Sequence, residues 1–303
     1  MSRCLVLGGS GFIGRHLVRK LIERGIETTV GDLVPNPDAP FVMVDYTDES
    51  SFQPALEGVD AVVHLAWTTT PQSGTDNPTN DVRTNILGSL NLFRACVALG
   101  VRRVIFCSSG GAIYGMPQQQ PIVESHPLEP LSSYGITKLA VEKYLLLFAK
   151  LYGLEYMIMR PGNAFGEGQV AGRGQGVIAA CMAAIRSDQR FTVWGDGSIV
   201  RDYVHVSDIA QAISLATTAR VSNLILNVGS GQGLSLNDLL GLIGEVSRRQ
   251  VKVDYTAQRA IDAPINILDS SLAHTILDWA PKVAIREGLL RQWLATQGIA
   301  QAG

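Results

Sequence analysis

Through the first 160 residues, short continuous apolar runs alternate with longer stretches whose apolar residues recur at helical spacing. Arg3–Leu7 reads as a buried strand, Phe12–Arg24 as an amphipathic helix stopped by Gly25, and Ile26–Gly31 as a second strand closing at Asp32. The same grammar gives strands at Phe41–Val44, Ala61–Leu65, Arg103–Cys107 and Glu155–Arg160. Helices are predicted at Glu49–Leu56, Asn80–Leu99 and Ser132–Tyr152, with polar or proline-rich loops at Thr68–Thr79 and Met116–Pro130. After Arg160 the rhythm changes. Pro161–Gly176 holds six glycines and no strand pattern. Helices then follow at Val177–Arg186, Asp208–Ala219, Leu236–Arg248 and Glu287–Thr296, with short strands at Phe191–Trp194, Val200–Val206, Leu224–Val228 and Val251–Tyr255.

Strands that are apolar throughout, rather than alternating, belong to a parallel sheet covered on both faces. The expected fold is therefore α/β: a Rossmann-type doubly wound parallel sheet with a smaller C-terminal α/β substrate-binding part. Composition does little to alter this. The 303 residues can bury a large core, and a net charge of -2 gives no reason to expect nucleic acid as a partner. Cys4, Cys96, Cys107 and Cys181 lack metal-ligand spacing and read as buried reduced thiols. No apolar run approaches the roughly 20 residues that span a bilayer. The chain opens directly on a strand-like run, so no membrane association and a cytoplasmic location are expected.

Two stretches carry chemistry. Gly8-Gly9-Ser10-Gly11-Phe12-Ile13-Gly14 joins the first strand to the first helix, where glycines let the backbone approach a pyrophosphate on exposed N–H groups. Asp32 is placed for the adenosine ribose hydroxyls, and its carboxylate would repel a 2′-phosphate, favouring NAD over NADP. Asp45 and Tyr46 end the third strand on the same edge, as an adenine contact or a strand-end turn. His64, in an apolar run, reads as a core histidine rather than a catalytic one. Tyr134 and Lys138 lie four apart on one predicted helix face. An ammonium beside a phenol lowers the cost of phenolate and makes a proton-transfer device.

In order along nearly the whole chain, these motifs resemble the extended short-chain dehydrogenase/reductases, in particular the nucleotide-sugar epimerase and dehydratase group. The resemblance runs through Gly8–Gly14, Asp32, Asp45, His64-Leu65-Ala66, Asn85-Ile86-Leu87-Gly88, Ser108-Ser109 before Tyr114-Gly115, and Tyr134-x-x-x-Lys138. It continues through Arg160–Gly166, Trp194–Gly197 and Arg201–Asp208. It implies that Tyr134 is the acid/base and that Lys138 meets the nicotinamide ribose. Gly8, Gly11, Phe12, Ile13, Gly14, Asp32, Asp45, Tyr46, Leu65, Ala66 and Asn85 would surround NAD. Asn163, Arg201, Arg259, Asp262 and also Arg173 would hold a nucleotide diphosphate-sugar, in keeping with the paired recognition of phosphate by arginine. The family's usual hydroxyl, four residues before Tyr114, is replaced by Gly110, so Ser109, with Ser108 as the alternative, is expected to contact the sugar. No acidic pair follows it, which disfavours dehydration.

The resemblance implies a UDP-hexose 4-epimerase working through a 4-keto intermediate. An NDP-4-keto-6-deoxysugar reductase is the alternative, and a non-catalytic NAD-binding scaffold or sensor a third reading. Residues 1–163 with about 200–230 would form the NAD-binding part, and about 164–199 with 231–303 the nucleotide-sugar-binding part. The two long helices at Asn80–Leu99 and Ser132–Tyr152 would pair subunits into a homodimer.

Overall fold

The apolar runs pair side by side in a computed structural model that describes residues 3–172, 176–257 and 263–298. Strand β1 (Arg3–Leu7) leads to helix α1 (Phe12–Glu23), and Gly25, at φ +71°, turns the chain into β2 (Glu27–Asp32). Then come β3 (Phe41–Met43), α2 (Phe52–Leu56), β4 (Ala61–His64), α3 (Pro71–Asp76) and α4 (Pro78–Asp81). A π-helical turn over Val82–Ile86 runs into α5 (Leu87–Ala98), followed by β5 (Arg103–Cys107), α6 (Ser133–Tyr152) and β6 (Glu155–Pro161). The remaining chain gives β7 (Asn163–Phe165), α7 (Val177–Arg186), β8 (Phe191–Trp194), β9 (Val200–His205), α8 (Val206–Thr218) and β10 (Leu224–Val228). It closes with β11 (Gly233–Ser235), α9 (Leu236–Ser247), β12 (Val253–Thr256), β13 (Ile265–Asn266), α10 (Ser271–Leu277) and α11 (Ile285–Thr296).

Seven parallel strands form the large sheet in the order β10-β6-β5-β4-β1-β2-β3. The order reverses between β1 and β4, which opens the crevice where ligands of doubly wound sheets bind. On one face Leu17, Val18 and Leu21 of α1 share a core with Ile209 and Ile213 of α8. On the other, Phe52, Leu92, Phe93, Val141 and Leu145 bring α2, α5 and α6 onto the sheet. Each such side chain contributes about 1.5–3 kcal/mol by leaving water. A second core around Phe165, Met182, Val193, Leu239 and Trp293 supports the smaller sheets. There β9 pairs with β7, β11 and β13, and β8 with β12.

The structure corrects several expectations. Thr68–Thr79 is not a loop. Thr70 caps α3 by accepting from the Ser73 amide while the Ser73 hydroxyl accepts from the Thr70 amide, and Asn77 caps α4. Pro71 and Pro78, which read as loop residues, stand in the first turns where a missing N–H costs nothing. The glycine-rich Pro161–Gly176 stretch does contain a strand, β7, because Asn163–Phe165 finds a partner in β9. Strands β11 and β13 and helix α10 are too short to show a period in the sequence.

Candidate active site

The glycine loop is packed so tightly that side chains would not fit. A Cβ on Gly8, which sits at φ +85°, would lie 2.6 Å from the Ala66 nitrogen, and one on Gly14 would lie 2.3 Å from the Gly8 carbonyl oxygen. No side chain caps the N-terminus of α1, so its first amides, at Phe12, Ile13 and Gly14, have no side-chain acceptor. A backbone cradle with uncapped amides at the sheet's reversal point fits a dinucleotide pyrophosphate. Beside it, Asp32 accepts from the Ser10 amide at 2.9 Å and the Leu33 amide at 2.7 Å, which fixes a half-exposed carboxylate at the end of β2.

The neighbouring strand ends are less uniform. Asp45 is exposed and turned onto its own loop, where hydrogen bonds from the Thr47 hydroxyl and amide hold its carboxyl below the usual range. Tyr46 is buried and donates to the Asn85 carbonyl at 2.8 Å, and burial raises its phenol. Leu65 and Ala66 both donate backbone N–H groups to the Leu7 carbonyl, which sets Ala66 against Gly8. Asn85 is fully buried. Its amide donates to Asp81 at 2.8 Å and Thr69 at 3.0 Å, and its carbonyl accepts from the Thr68 amide. Its side-chain groups are thus partnered within the protein, in the π-helical turn that leads into α5.

Tyr134 and Lys138 stand on one face of α6, whose first turn is capped by Ser132. Tyr134 is half-buried, whereas Lys138 is only 4 % exposed. The Lys138 ammonium donates to the Cys107 carbonyl at 2.7 Å and lies 3.7 Å from the centre of the Trp67 ring. Burial pulls it down to about 8, against smaller upward pulls from the carboxylates of Glu142 and Asp81. Trp67 also meets Tyr134 edge to face, with centroids 6.1 Å apart. Since Ala66 touches the glycine loop and Trp67 touches both members of the pair, a single peptide step joins cradle and base.

Asp81, which carried no signal in the sequence beyond its helix, proves central to this arrangement. Its buried carboxylate accepts from the hydroxyls of Thr69 and Ser133 at 2.7 Å each, and Thr137 lies 3.2 Å away. Ser133 and Thr137 immediately precede Tyr134 and Lys138, so Asp81 clamps the helix that presents them. Its place four residues before Asn85 does not mark it, because the π-helical turn between them and the distant clamp on α6 are not readable in the sequence.

Ser108 is buried, with a hydroxyl that has no protein partner, while Ser109 is half-exposed. Gly110 has no space for the missing hydroxyl. A Cβ there would meet Leu268 at 2.6 Å and the Arg160 carbonyl oxygen at 3.0 Å, so this position faces the interior. Gly111 instead opens toward Asn163 and Ser109, whose side chains lie 3.8 and 3.9 Å from where its Cβ would be. The same loop presses on α6: a Cβ on Gly135 would meet the Ala112 carbonyl at 2.4 Å. Ser109 and Asn163 are thereby brought together beside the start of the helix that carries Tyr134.

Asn163 also donates to the Asp202 carbonyl at 3.3 Å. Arg201, on β9, donates to the carbonyls of Val200 and Ala263 at 2.9 and 2.7 Å. Its neighbour Asp202 is buried and accepts from the amides of Ser230, Gly231 and Leu268, and burial raises its carboxyl despite those bonds. Arg173, Arg259 and Asp262 lie outside the described residues. His64 is a core residue. It is fully buried, its Nε2 hydrogen-bonds the Ser89 hydroxyl at 2.9 Å, and burial holds it down to about 3. All four cysteines are buried and unpaired. Among the described residues no cluster could hold a metal ion, and no helix is long and apolar enough to cross a membrane.

Comparison with known proteins agrees with this geometry. The NAD dependent epimerase/dehydratase family matches residues 4–229. A putative UDP-glucose 4-epimerase of Methanocaldococcus jannaschii is 34 % identical, over 95 % of this chain and 96 % of its own. The solved UDP-glucose 4-epimerase of Thermotoga maritima with UDP-glucose is 36 % identical, superposes with a TM-score of 0.93, and is covered over 98 % of this chain and 99 % of that one. The Thermus thermophilus UDP-glucose 4-epimerase complex with NAD is 32 % identical with a TM-score of 0.92, over 98 % and 100 %. A Rossmann-type sheet, a glycine cradle and matches along the whole length lead to one conclusion: the chain belongs to the NAD-dependent epimerase/dehydratase family and is an NAD-dependent epimerase.

Proposed function

We propose that the protein is a nucleotide-sugar 4-epimerase acting on a UDP-linked hexose, such as UDP-glucose and UDP-galactose or their N-acetyl forms. The observation that carries this reading is the buried Lys138 ammonium beside Tyr134, one residue step from a glycine cradle. Gly8, Gly11, Phe12, Ile13 and Gly14 hold the pyrophosphate of NAD, with Asp32 toward the adenosine ribose and Asp45, Tyr46, Leu65 and Ala66 on the adjoining strand ends. NAD held there would supply the hydride acceptor and donor for the sugar's C4. Tyr134 removes the proton of the C4 hydroxyl and gives one back after the 4-keto sugar has turned over. Lys138 keeps phenolate accessible near neutral pH. Ser109 hydrogen-bonds the reacting hydroxyl, while Ser108, buried behind it, is the alternative. Asn163, Arg201 and, outside the described residues, Arg173, Arg259 and Asp262 take the nucleotide diphosphate.

The test is incubation of the purified protein with UDP-glucose, UDP-galactose and the two N-acetyl analogues, followed by separation of the sugars. Interconversion of one pair supports the reading, and none with any pair removes it. A protein that loses its cofactor on purification and oxidises NAD(P)H against a 4-keto-6-deoxysugar is a reductase instead. We infer further that the enzyme is a cytoplasmic homodimer joined through α5 and α6. Tyr144, Leu147 and Leu151 form an exposed apolar stripe along α6, and Leu87 is exposed at the start of α5. Sedimentation as a monomer at micromolar concentration would remove that inference.

A further inference from the structure

We propose that Trp67 is a positioning residue of the acid/base unit, its indole face holding Lys138 charged without neutralising it. This rests on the reading of Tyr134 and Lys138 given above and concerns what makes that pair workable. A buried ammonium needs compensation. Lys138 has one hydrogen bond, to the Cys107 carbonyl, and no carboxylate within ion-pairing distance among the described residues. Glu142, one turn further along α6, gives both oxygens to Arg160. Asp81 is occupied by the hydroxyls of Thr69 and Ser133 and the amide of Asn85. The remaining titratable neighbours carry no compensating charge: His64 is kept neutral by burial, and burial also raises the Cys107 thiol.

What faces the ammonium instead is aromatic, with Trp67 at 3.7 Å and Phe106 at 4.9 Å from the ring centres. A ring quadrupole attracts a desolvated cation but has no net charge, so its opposing field fades faster than that of a carboxylate. The lysine stays protonated while its field still reaches Tyr134. The indole is also held where it can do this. It stacks at a tilt on Phe106, 6.0 Å between centroids, and on His64 at 6.4 Å, and meets Tyr134 edge to face. Its own N–H is buried with no protein acceptor, so packing rather than a hydrogen bond sets the ring.

The test uses the full chain with Trp67→Phe, Trp67→Leu and Lys138→Met. It adds the parent and W67F proteins grown on 5-fluorotryptophan, which weakens the ring's attraction for cations without changing its shape. The W67F pair controls for the other three tryptophans. In ligand-free protein, tryptophan emission should show a transition near pH 8 that is absent from W67F and K138M. In the epimerase assay the alkaline limb of kcat/KM should fall by about one pH unit in W67L. W67F should lie between W67L and the parent, and fluorination should move the parent but not W67F. If W67L does not fold, the fluorinated parent carries the kinetic test. Alkaline limbs that coincide in parent and fluorinated parent overturn the proposal, as does an emission transition that persists in K138M. Parental activity in K138M would instead overturn the acid/base reading itself.

Discussion

Helix α6 presents two buried cation sites one turn apart, and they are built in opposite ways. Arg160, reaching from β6, is 1 % exposed and meets Glu142 through two hydrogen bonds of 3.0 and 2.6 Å, with the Tyr114 hydroxyl accepting a third at 2.9 Å. Tyr114 in turn donates a hydrogen bond to the Asn227 side-chain oxygen at 2.6 Å, and burial pushes its phenol up to about 12 despite the arginine. Lys138 is as deeply placed but receives a carbonyl and two aromatic faces. The first site is neutral as a whole and locks β6, α6 and the loop after β5 together. The second leaves a charge in place for a neighbour to use. A cation that serves structure is cancelled, and one that serves chemistry is not.

The sharpest way to test the contrast is to remove each cation. Tyr134→Phe and Lys138→Met should lower kcat by about 10²–10⁴, the usual worth of a positioned acid/base unit, read by UDP-hexose interconversion. Neither should lower the urea midpoint, because K138M removes an uncompensated buried charge. Arg160→Met should do the reverse. It strands the Glu142 carboxylate, at a cost of about 3–5 kcal/mol in urea unfolding, while the molecules that remain folded stay active. Replacing both partners, Glu142→Leu with Arg160→Met, should recover most of that loss. Equal loss of stability on removing either cation would break the comparison.

How much of this was readable in the sequence depends on the range of the interaction concerned. The βα rhythm, the glycine loop and the Tyr134–Lys138 spacing are local patterns, and the structure shows them as expected. Helix α3 and the start of α4 were missed because prolines that read as breakers stand at helix starts, where capping by Thr70 and Asn77 decides the outcome. Asp81 and Trp67 were missed for a different reason. Their partners Ser133, Thr137 and Lys138 are more than 50 residues away in the chain, and nothing local marks a carboxylate or an indole that will face them. The arginine pair at Arg160 and Glu142 is hidden in the same way, since each residue alone is an ordinary charged position on a strand and a helix.

Gly110 sharpens the contrast at smaller scale, because the position borders the Arg160 site rather than the Lys138 site. Gly110→Ser restores the hydroxyl that the resemblance leads one to expect. Its Cβ would meet Leu268 and the Arg160 carbonyl within 3.0 Å. The substitution should cost about 1–3 kcal/mol of stability through overpacking and leave kcat no higher. A gain in turnover would mean that this backbone can turn the side chain toward the sugar after all. Ser109→Ala should lower kcat with little change in the urea midpoint, since Ser109 is half-exposed.

The smallest expected effect concerns His64, a buried titratable neighbour of Lys138 that plays no part in the chemistry. Ser89 donates its hydroxyl proton to the Asn85 carbonyl, so it accepts from the Nε2–H of a neutral His64, and Nδ1 is left buried without a partner. Burial, aided by the Lys138 charge, holds this imidazole down to about 3 in the folded protein, against 6.5 for an ordinary histidine. The unfolded chain therefore binds a proton below pH 6.5 that the folded chain refuses. Stability is lost as pH falls through that value and continues to fall toward about 3, at up to ~1.4 kcal/mol per pH unit. Between pH 7 and 5.5 the loss from His64 alone should be about 1 kcal/mol. Urea unfolding of His64→Phe at the two pH values should show a difference smaller than the parent's by that amount. An unchanged difference would mean that His64 does not set the acid sensitivity of this wall.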